Sequence, residues 1–414
     1  MRASRRVEAE HRAAVPPPAS TAGDTCSHGD SGLWVTKPDG KRTRKYVYGQ
    51  TREAVHEKWI RLHQQAKAGP VVTRLPTLAG YLDSWLRDVV EPNLAPATAA
   101  NYDMFVRLYI TPELGSRRLD KLSVRDVQTW LNQPRSACQC CLQGKDAARP
   151  EGKRKCCAAG RCCRRTVSER TARDAWTTLR AALNNGVRDE LLTRNPAALL
   201  RVAKPRPRKD KPWSVDEVRQ FLESARADGD PLYAAYVLIL VLGLRRGEVL
   251  GLRWEDVDLA ANELSVAYQL QRIRRQLLHR ETKTEASDAT LPLPAICTTA
   301  LRSRREDQQR HQEHAGRAWQ DSGLVFATRL GTPIEPRNFH REFKTRCRKA
   351  GVREISVHTT RRTCATLLVA LDVHPRVMMR ILRHSQIAVT MNIYAQVASE
   401  ATETALTRLG DQFL

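Results

Sequence analysis

Four short segments carry side chains whose type and spacing suit chemistry on a phosphate. In His358-Thr359-Thr360-Arg361, a separation of three residues puts an imidazole and a guanidinium on one helix face, where both can reach a single phosphate. Downstream, Leu382-Arg383-His384-Ser385-Gln386-Ile387-Ala388-Val389-Thr390-Met391-Asn392-Ile393-Tyr394 sets a histidine and a tyrosine ten residues apart across a short helix. Upstream, Gly243-Leu244-Arg245-Arg246-Gly247-Glu248-Val249-Leu250-Gly251-Leu252-Arg253-Trp254 places a basic pair directly after an apolar run, and Glu281-Thr282-Lys283-Thr284 offers a lysine in a β-turn. Taken singly, each has an ordinary explanation. A basic pair complements the dipole at a helix C-terminus, a hairpin lysine is solvated, and a lone His or Tyr more often packs than reacts.

A second group of side chains suits a metal. Seven of the eleven cysteines, Cys138, Cys140, Cys141, Cys156, Cys157, Cys162 and Cys163, crowd into one stretch, while Cys26, Cys297, Cys347 and Cys364 are scattered. Close pairs of thiolates fit a tetrahedral zinc, and a metal would give this polar loop a fold that no hydrophobic core supplies. Lys145 to Arg165 holds eight basic and two acidic residues, so the loop is also placed to touch phosphates. The spacing departs from paired C-x-x-C. A structural zinc and a flexible basic loop with free thiols both stand open on these residues.

The elements that must position these groups belong to a long and strongly basic chain. At 414 residues it exceeds one ordinary core and implies two or three domains. A formal charge of +24 favours a polyanionic partner, nucleic acid first. The N-terminus lacks the layout of a secretory signal, and the longest apolar run, Leu232 to Leu242, is too short to span a membrane. The expectation is therefore a cytoplasmic, nucleoid-associated protein with no membrane partner, whose cysteines meet a reducing environment.

Along the chain, residues 1–30 read as a disordered lead-in. Residues 31–70 read as a small domain in which a Pro-Asp-Gly turn joins Leu33–Thr36 to Arg44–Gly49 as a hairpin, with a helix over Arg52–Gln65 behind it. A basic hairpin of this kind can enter a DNA groove. Residues 75–200 turn helical, with Leu78, Tyr81, Leu82, Trp85 and Leu86 on one face, further helices at Ser123–Leu131 and Ser168–Glu190, and the cysteine-rich insertion at 135–166. The basic, Pro-rich stretch 201–213 resists helix and sheet and reads as a linker. Residues 214–414 form the last domain. It opens with a helix over Val215–Ala225 carrying a Ser214/Glu217 capping box, then a buried helix over Leu232–Leu242, then strands over Glu263–Gln271, Arg274–Glu281 and Ala289–Leu293. Ala398, Ala401, Ala405, Leu406, Leu409 and Phe413 recur at helical spacing in a tail over 395–414. The fold class expected is mainly α with small antiparallel β-sheets, in several domains.

Read jointly, Arg245, Lys283, His358-x-x-Arg361, His384 and Tyr394, in this order, resemble the catalytic domain of the tyrosine recombinases, or phage integrases. The supporting context is Gly-Leu-Arg-x-Gly-Glu-x-Leu-x-Leu-x-Trp, the Thr363 after His-x-x-Arg, and Arg-His-Ser-x-Ile-x-x-Thr-x-x-x-Tyr. More broadly, 75–200 is similar to the family's helical, SAM-like core-binding domain and 31–70 to its arm-site-binding domain. Two positions depart from the pattern. Arg383 stands where glycine is usual, and no basic residue stands near Ala289. The arm-like segment also looks one strand short, because Ser27-His28-Gly29-Asp30 occupies the place of a first strand.

The resemblance implies a site-specific recombinase that cuts and rejoins double-stranded DNA at attachment sites through a 3′-phosphotyrosyl bond on Tyr394, with no ATP and no cofactor for catalysis. It gives Arg245 and Arg361 the phosphate charge, Lys283 the leaving 5′-oxygen, His358 acid/base work beside the tyrosine, and His384 a hydrogen bond to the phosphate. It implies a homotetramer in the synaptic complex, with an excisionase and a DNA-bending protein as further partners. A type IB topoisomerase and a catalytically silent DNA-binding regulator of the same fold are the competing readings.

Overall fold

The computed structural model describes residues 30–36, 40–69, 75–156, 159–203, 211–282, 289–393 and 411. Contacts divide the chain into two compact units, residues up to 90 together with 104–202, and residues 91–103 together with 203–414. Both are mainly helical with small antiparallel sheets. Among the described residues no helix is long and apolar enough to cross a membrane.

The first unit begins with a two-stranded antiparallel ribbon, β1 (Asp30–Thr36) and β2 (Arg42–Tyr48), registered from Asp30 opposite Tyr48 to Thr36 opposite Arg42. Asp30, expected outside the sheet, starts β1. Period-two alternation turns Val35 inward onto Leu62 of α1 (Arg52–Ala68) and leaves Trp34, Tyr46 and Tyr48 exposed. The Arg42 and Arg44 guanidiniums lie over the Trp34 and Tyr46 rings, so the outer face is at once cationic and aromatic.

Next comes α2 (Leu78–Trp85), which buries Leu78, Tyr81, Leu82 and Trp85. The Tyr81 hydroxyl donates to the Ala182 carbonyl at 2.7 Å, tying α2 to α5 (Glu169–Arg188). Between them, α3 (Val124–Ser136) is opened by a reciprocal capping box of Ser123 and Asp126. It runs past the expected end at Leu131. The short α4 (Gln139–Leu142) follows and starts the cysteine insertion. Two π-helical turns, Leu86–Val90 and Val106–Ile110, carry no sequence signal that apolar periodicity can read.

The second unit is built on α7 (Tyr233–Val241), whose residues from Ala234 to Leu240 are all buried. It packs beside α6 (Val215–Ala227), opened by the expected Ser214/Glu217 capping box, with Gly243 in the left-handed region ending the run at φ +59°. The chain then enters α8 (Arg246–Gly251), with Arg245 as its N-cap. The basic pair therefore opens a helix instead of closing one, and the dipole explanation for it fails.

The strand expected over Glu263–Gln271 is two strands. Here β4 (Glu263–Ser265) lies between β3 (Val257–Asp258) and β7 (Thr290–Pro292), while β5 (Tyr268–Ile273) and β6 (Gln276–Glu281) form a separate antiparallel ribbon. Gly251 explains the second arrangement. A Cβ there would meet the Leu270 nitrogen at 2.7 Å, so only glycine lets α8 lie against β5. Four further helices follow along the chain: α9 (Ala295–Ala315), α10 (Pro336–Lys349), α11 (Val357–Ala370) and α12 (Pro375–Leu382). Residues 387–393 add a last helical segment.

Trp213, the last residue of the basic stretch, belongs physically to this core. It is 2% exposed, packs on Phe221 and Phe343, and donates its ring N–H to the Arg353 carbonyl at 2.8 Å. Its backbone N–H donates to the Thr363 hydroxyl at 3.1 Å. Trp213→Ala should lower the unfolding free energy by about 3–5 kcal/mol, the usual cost of emptying an aromatic core position; urea titration followed by circular dichroism reads the shift in midpoint.

Candidate active site

The site grows from the end of α7. After the Gly243 turn, Arg245 caps α8 through its own backbone, its N–H donating to Glu248 Oε2 at 2.8 Å while its Nη1 reaches Oε1 at 2.5 Å. Glu248 is buried and takes a second guanidinium, Arg383 Nη2, on Oε2 at 2.7 Å. Burial pushes its carboxyl up, but Arg383 and Arg245 outweigh burial and leave it below the ordinary glutamate value. Arg245 Nη2 also reaches toward the Arg383 carbonyl at 3.5 Å. One carboxylate thus fixes two guanidiniums from segments far apart in sequence.

Arg383 closes α12 in the left-handed conformation, φ +51° and ψ +50°. That backbone disfavours any residue with a Cβ by about 1–2 kcal/mol, which accounts for the glycine expected there. In this chain the side chain of Arg383 runs inward to Glu248 with no exposed surface, and the ion pair holds the turn that glycine would otherwise make freely. The next residue, His384, donates its backbone N–H to the Met379 carbonyl and hydrogen-bonds through Nδ1 with the buried Thr390 hydroxyl at 3.0 Å.

His358 and Arg361 come from the first turns of α11, which Ser356 caps by accepting from the Thr359 N–H. Arg361 is buried and donates Nη1 to the Gly243 carbonyl at 2.7 Å, while its buried Nη2 has no hydrogen-bond partner. Burial, then Arg245 and Arg383, pull its pKa down to about 9. An unmet N–H and a destabilised cation both favour an anion as partner. Burial and the same cations push His384 down to about 4. His358 is also lowered, by burial and then by Arg361 and Arg245, although its outer edge is exposed; the packed atoms and cations beneath the ring decide the direction. Both imidazoles are neutral at pH 7.

The structure brings together Arg245, His358, Arg361 and His384. Lys283 and Tyr394 lie outside the described residues. Ile393, the residue before Tyr394, packs on the small core of Cys364, Ala365, Met378 and Leu382. Sequence reasoning missed the structural part played by Glu248 and Arg383. The signal available was Glu248 three residues after Arg245, which is capping-box spacing, and an arginine where glycine was expected.

The cysteine insertion lies in the first unit. Cys138 Sγ is 3.6 Å from Cys156 Sγ and 3.5 Å from Cys163 Sγ. Backbone N–H bonding from Cys141 is the main cause that draws the Cys138 thiol down to about 6. The buried Asp146 accepts from the backbone N–H groups of Lys155 and Cys156 and so fixes the loop around them. The sulfurs of Cys138, Cys140, Cys156 and Cys163 all lie within 4.8 Å of one another, a cluster able to hold a metal ion. Cys157 lies outside the described residues.

Residues 213–401 match the Phage integrase family and residues 77–133 match the phage integrase N-terminal SAM-like domain. A tyrosine recombinase XerC-like protein of Caldanaerobacter subterraneus subsp. tengcongensis is 27% identical over 91% of this chain and 94% of its own length. An integrase of Streptomyces ambofaciens is 26% identical over 91% and 95%. In fold, the chain is similar to the Tn1549 transposon integrase solved with transposon right-end DNA, with a TM-score of 0.62 at 19% identity over 81% of this chain and 99% of that one. A lambda integrase fragment bound to a core site aligns with a TM-score of 0.52 at 17% identity over 77% and 95%. With the ordered arginines and histidines gathered about Glu248, these matches show that the chain belongs to the phage integrase family, the tyrosine site-specific recombinases.

Proposed function

We propose that this recombinase cleaves and rejoins double-stranded DNA at its attachment sites with Tyr394 as nucleophile, integrating or excising a mobile element. The observation that carries the reading is the anion-deficient pocket: Arg245, Arg361 and Arg383 surround the single buried carboxylate of Glu248, and Arg361 Nη2 is unmet. Three guanidiniums against one carboxylate leave two positive charges, which suits the two negative charges on the non-bridging oxygens of a phosphoryl-transfer transition state. Arg245 and Arg361 carry the phosphate; Arg383 acts through Glu248.

In this reading the Tyr394 oxygen attacks phosphorus, the bond to the 5′-oxygen breaks, and a 3′-phosphotyrosyl ester preserves the bond energy. A phenol is protonated at neutral pH, so its proton needs an acceptor, and neutral His358 provides one. Lys283 protonates the leaving 5′-oxygen. Thr390 donating to His384 Nδ1 leaves Nε2 protonated and able to hold a phosphate oxygen. The partner strand's 5′-hydroxyl then reverses the step, with no cofactor required.

The same reading gives 214–414 the catalytic role, 75–200 core-site binding, 201–213 the part of a linker that lies along phosphates up to its buried last residue, Trp213, and 31–70 arm-site binding. The exposed Trp34, Arg42, Arg44, Tyr46 and Tyr48 of the ribbon support the last. The tail 395–414, outside the described residues apart from Asp411, would dock on a neighbouring protomer of a tetramer. The setting is the cytoplasmic nucleoid. Zinc is the metal the cysteine cluster favours, because a set of thiolates is soft and tetrahedral.

On a nicked suicide substrate, Tyr394→Phe should abolish the covalent DNA adduct while retaining binding. Arg361→Lys should slow adduct formation about 100-fold or more, the typical cost of one lost transition-state donor. An adduct that survives Tyr394→Phe refutes the nucleophile.

Neutral imidazoles also predict a pH dependence of stability. With a folded pKa near 4 for His384 against about 6.5 unfolded, the unfolded state binds more protons as pH falls. The stability present above about pH 6.5 is lost progressively down to about pH 4. Urea midpoints measured between pH 7 and 4 should fall across that window, and His384→Gln should flatten the slope. Equal slopes in the two proteins would show that His384 is not desolvated.

A further inference from the structure

The seven cysteines of the insertion arrive mostly as adjacent pairs, an awkward pattern for one ion because neighbouring residues point their side chains apart. Two sets of four sulfurs lie close enough together to hold a metal ion among the described residues. One is Cys138, Cys140, Cys156 and Cys163, and the other is Cys138, Cys141, Cys156 and Cys162, each with all sulfurs within 4.8 Å of one another. The sets differ in which member they take from the pairs Cys140-Cys141 and Cys162-Cys163. They share Cys138 and Cys156.

We propose that the insertion holds two zinc ions in one thiolate cluster, with Cys138 and Cys156 bridging both ions, Cys140 and Cys163 completing one, and Cys141 and Cys162 completing the other. This rests on the zinc reading above and deepens it. A Zn–S bond of about 2.3 Å gives a tetrahedron an S···S edge of about 3.8 Å. The shared edge, Cys138 to Cys156, is 3.6 Å. One outer edge in each set is close to the same length, Cys138 to Cys163 at 3.5 Å and Cys141 to Cys156 at 3.8 Å. A single ion would use one set and leave two further sulfurs at coordinating distance from its shared members.

The surroundings fit a negatively charged cluster. Six thiolates with two divalent ions carry a net charge of about −2, and Lys145 to Arg165 supplies eight basic against two acidic residues. Backbone N–H groups point at the sulfurs, Cys163 N–H to Cys156 Sγ at 3.1 Å and Arg164 N–H to Cys162 Sγ at 3.4 Å. Such donors outside the coordination sphere orient and stabilise metal thiolates. Arg164 takes φ +48° in placing its N–H there.

Cys141 is disulfide-bonded in this structure, so the second ion enters only after reduction. A dithiol reductant supplies two electrons and two protons to that bond and leaves as its own disulfide; Cys141 then loses its thiol proton to solvent as zinc binds. The first set needs no such step, since Cys138, Cys140, Cys156 and Cys163 carry thiols and form no disulfide. The two sites are thereby separable by redox state.

The test uses the full chain purified with zinc under a dithiol reductant, and counts zinc per chain by native mass spectrometry and elemental analysis. Two ions are expected after reduction and one without it, and Cys162→Ser should lower the reduced count from two to one. Cadmium exchange should give two 113Cd resonances that are mutually coupled through the bridging sulfurs. One ion in the reduced chain, unchanged by Cys162→Ser, would overturn the two-metal cluster and leave a single four-cysteine site. Two uncoupled cadmium resonances would overturn the bridging. No zinc at all would overturn both this proposal and the reading beneath it.

Discussion

Glu248 places a carboxylate among three guanidiniums in the interior of the second unit, with Arg245 on one oxygen and Arg383 on the other. Burying a charge costs several kcal/mol unless its partners stay in place, so neither arginine can leave without exposing the site to that penalty. The consequence is geometric. Arg245 is held at the start of α8, Arg383 at the end of α12, and the His384 turn follows directly from the latter. Arg245 and His384 therefore share one buried anchor, although 139 positions separate them in sequence.

The anchor also sets the balance of charge. Paired one to one, arginines and carboxylates would make a neutral, self-satisfied core with nothing left for substrate. Here the carboxylate is outnumbered, and the shortfall appears in Arg361, with its unpartnered Nη2 and a pKa drawn down to about 9. The histidines feel the same field and stay neutral. The guanidiniums keep their charge at pH 7 while the imidazoles beside them do not. One electrostatic environment thus sets both protonation states.

The side chains that the second unit brings together were legible as candidates because their spacing is local: His358 and Arg361 lie one helical turn apart, and Arg245 follows an unbroken apolar run. Helices with reciprocal caps, at Ser123 and Ser214, were legible for the same reason. What escaped depends on contacts distant in sequence. The break between β4 and β5 follows from Gly251 lying against Leu270, the placement of Trp213 from its bonds to Arg353 and Thr363, and the value of Arg383 from Glu248. A left-handed arginine cannot be anticipated from propensity, since local preference argues for glycine there and only the buried ion pair overrides it.

The cysteine insertion follows the opposite logic to the core around Glu248. Among the described residues between Cys138 and Cys163, those buried are Cys140, Asp146 and Cys156, too few to hold a loop of that length by apolar burial. Asp146 pins the backbone of Lys155 and Cys156, which brings the second group of cysteines back to the first. Like Glu248, it is one buried carboxylate that joins distant segments. There the join gathers guanidiniums in excess of carboxylate, and here it gathers sulfurs within 4.8 Å of one another; in each case one buried carboxylate sets the spacing of a group of like side chains.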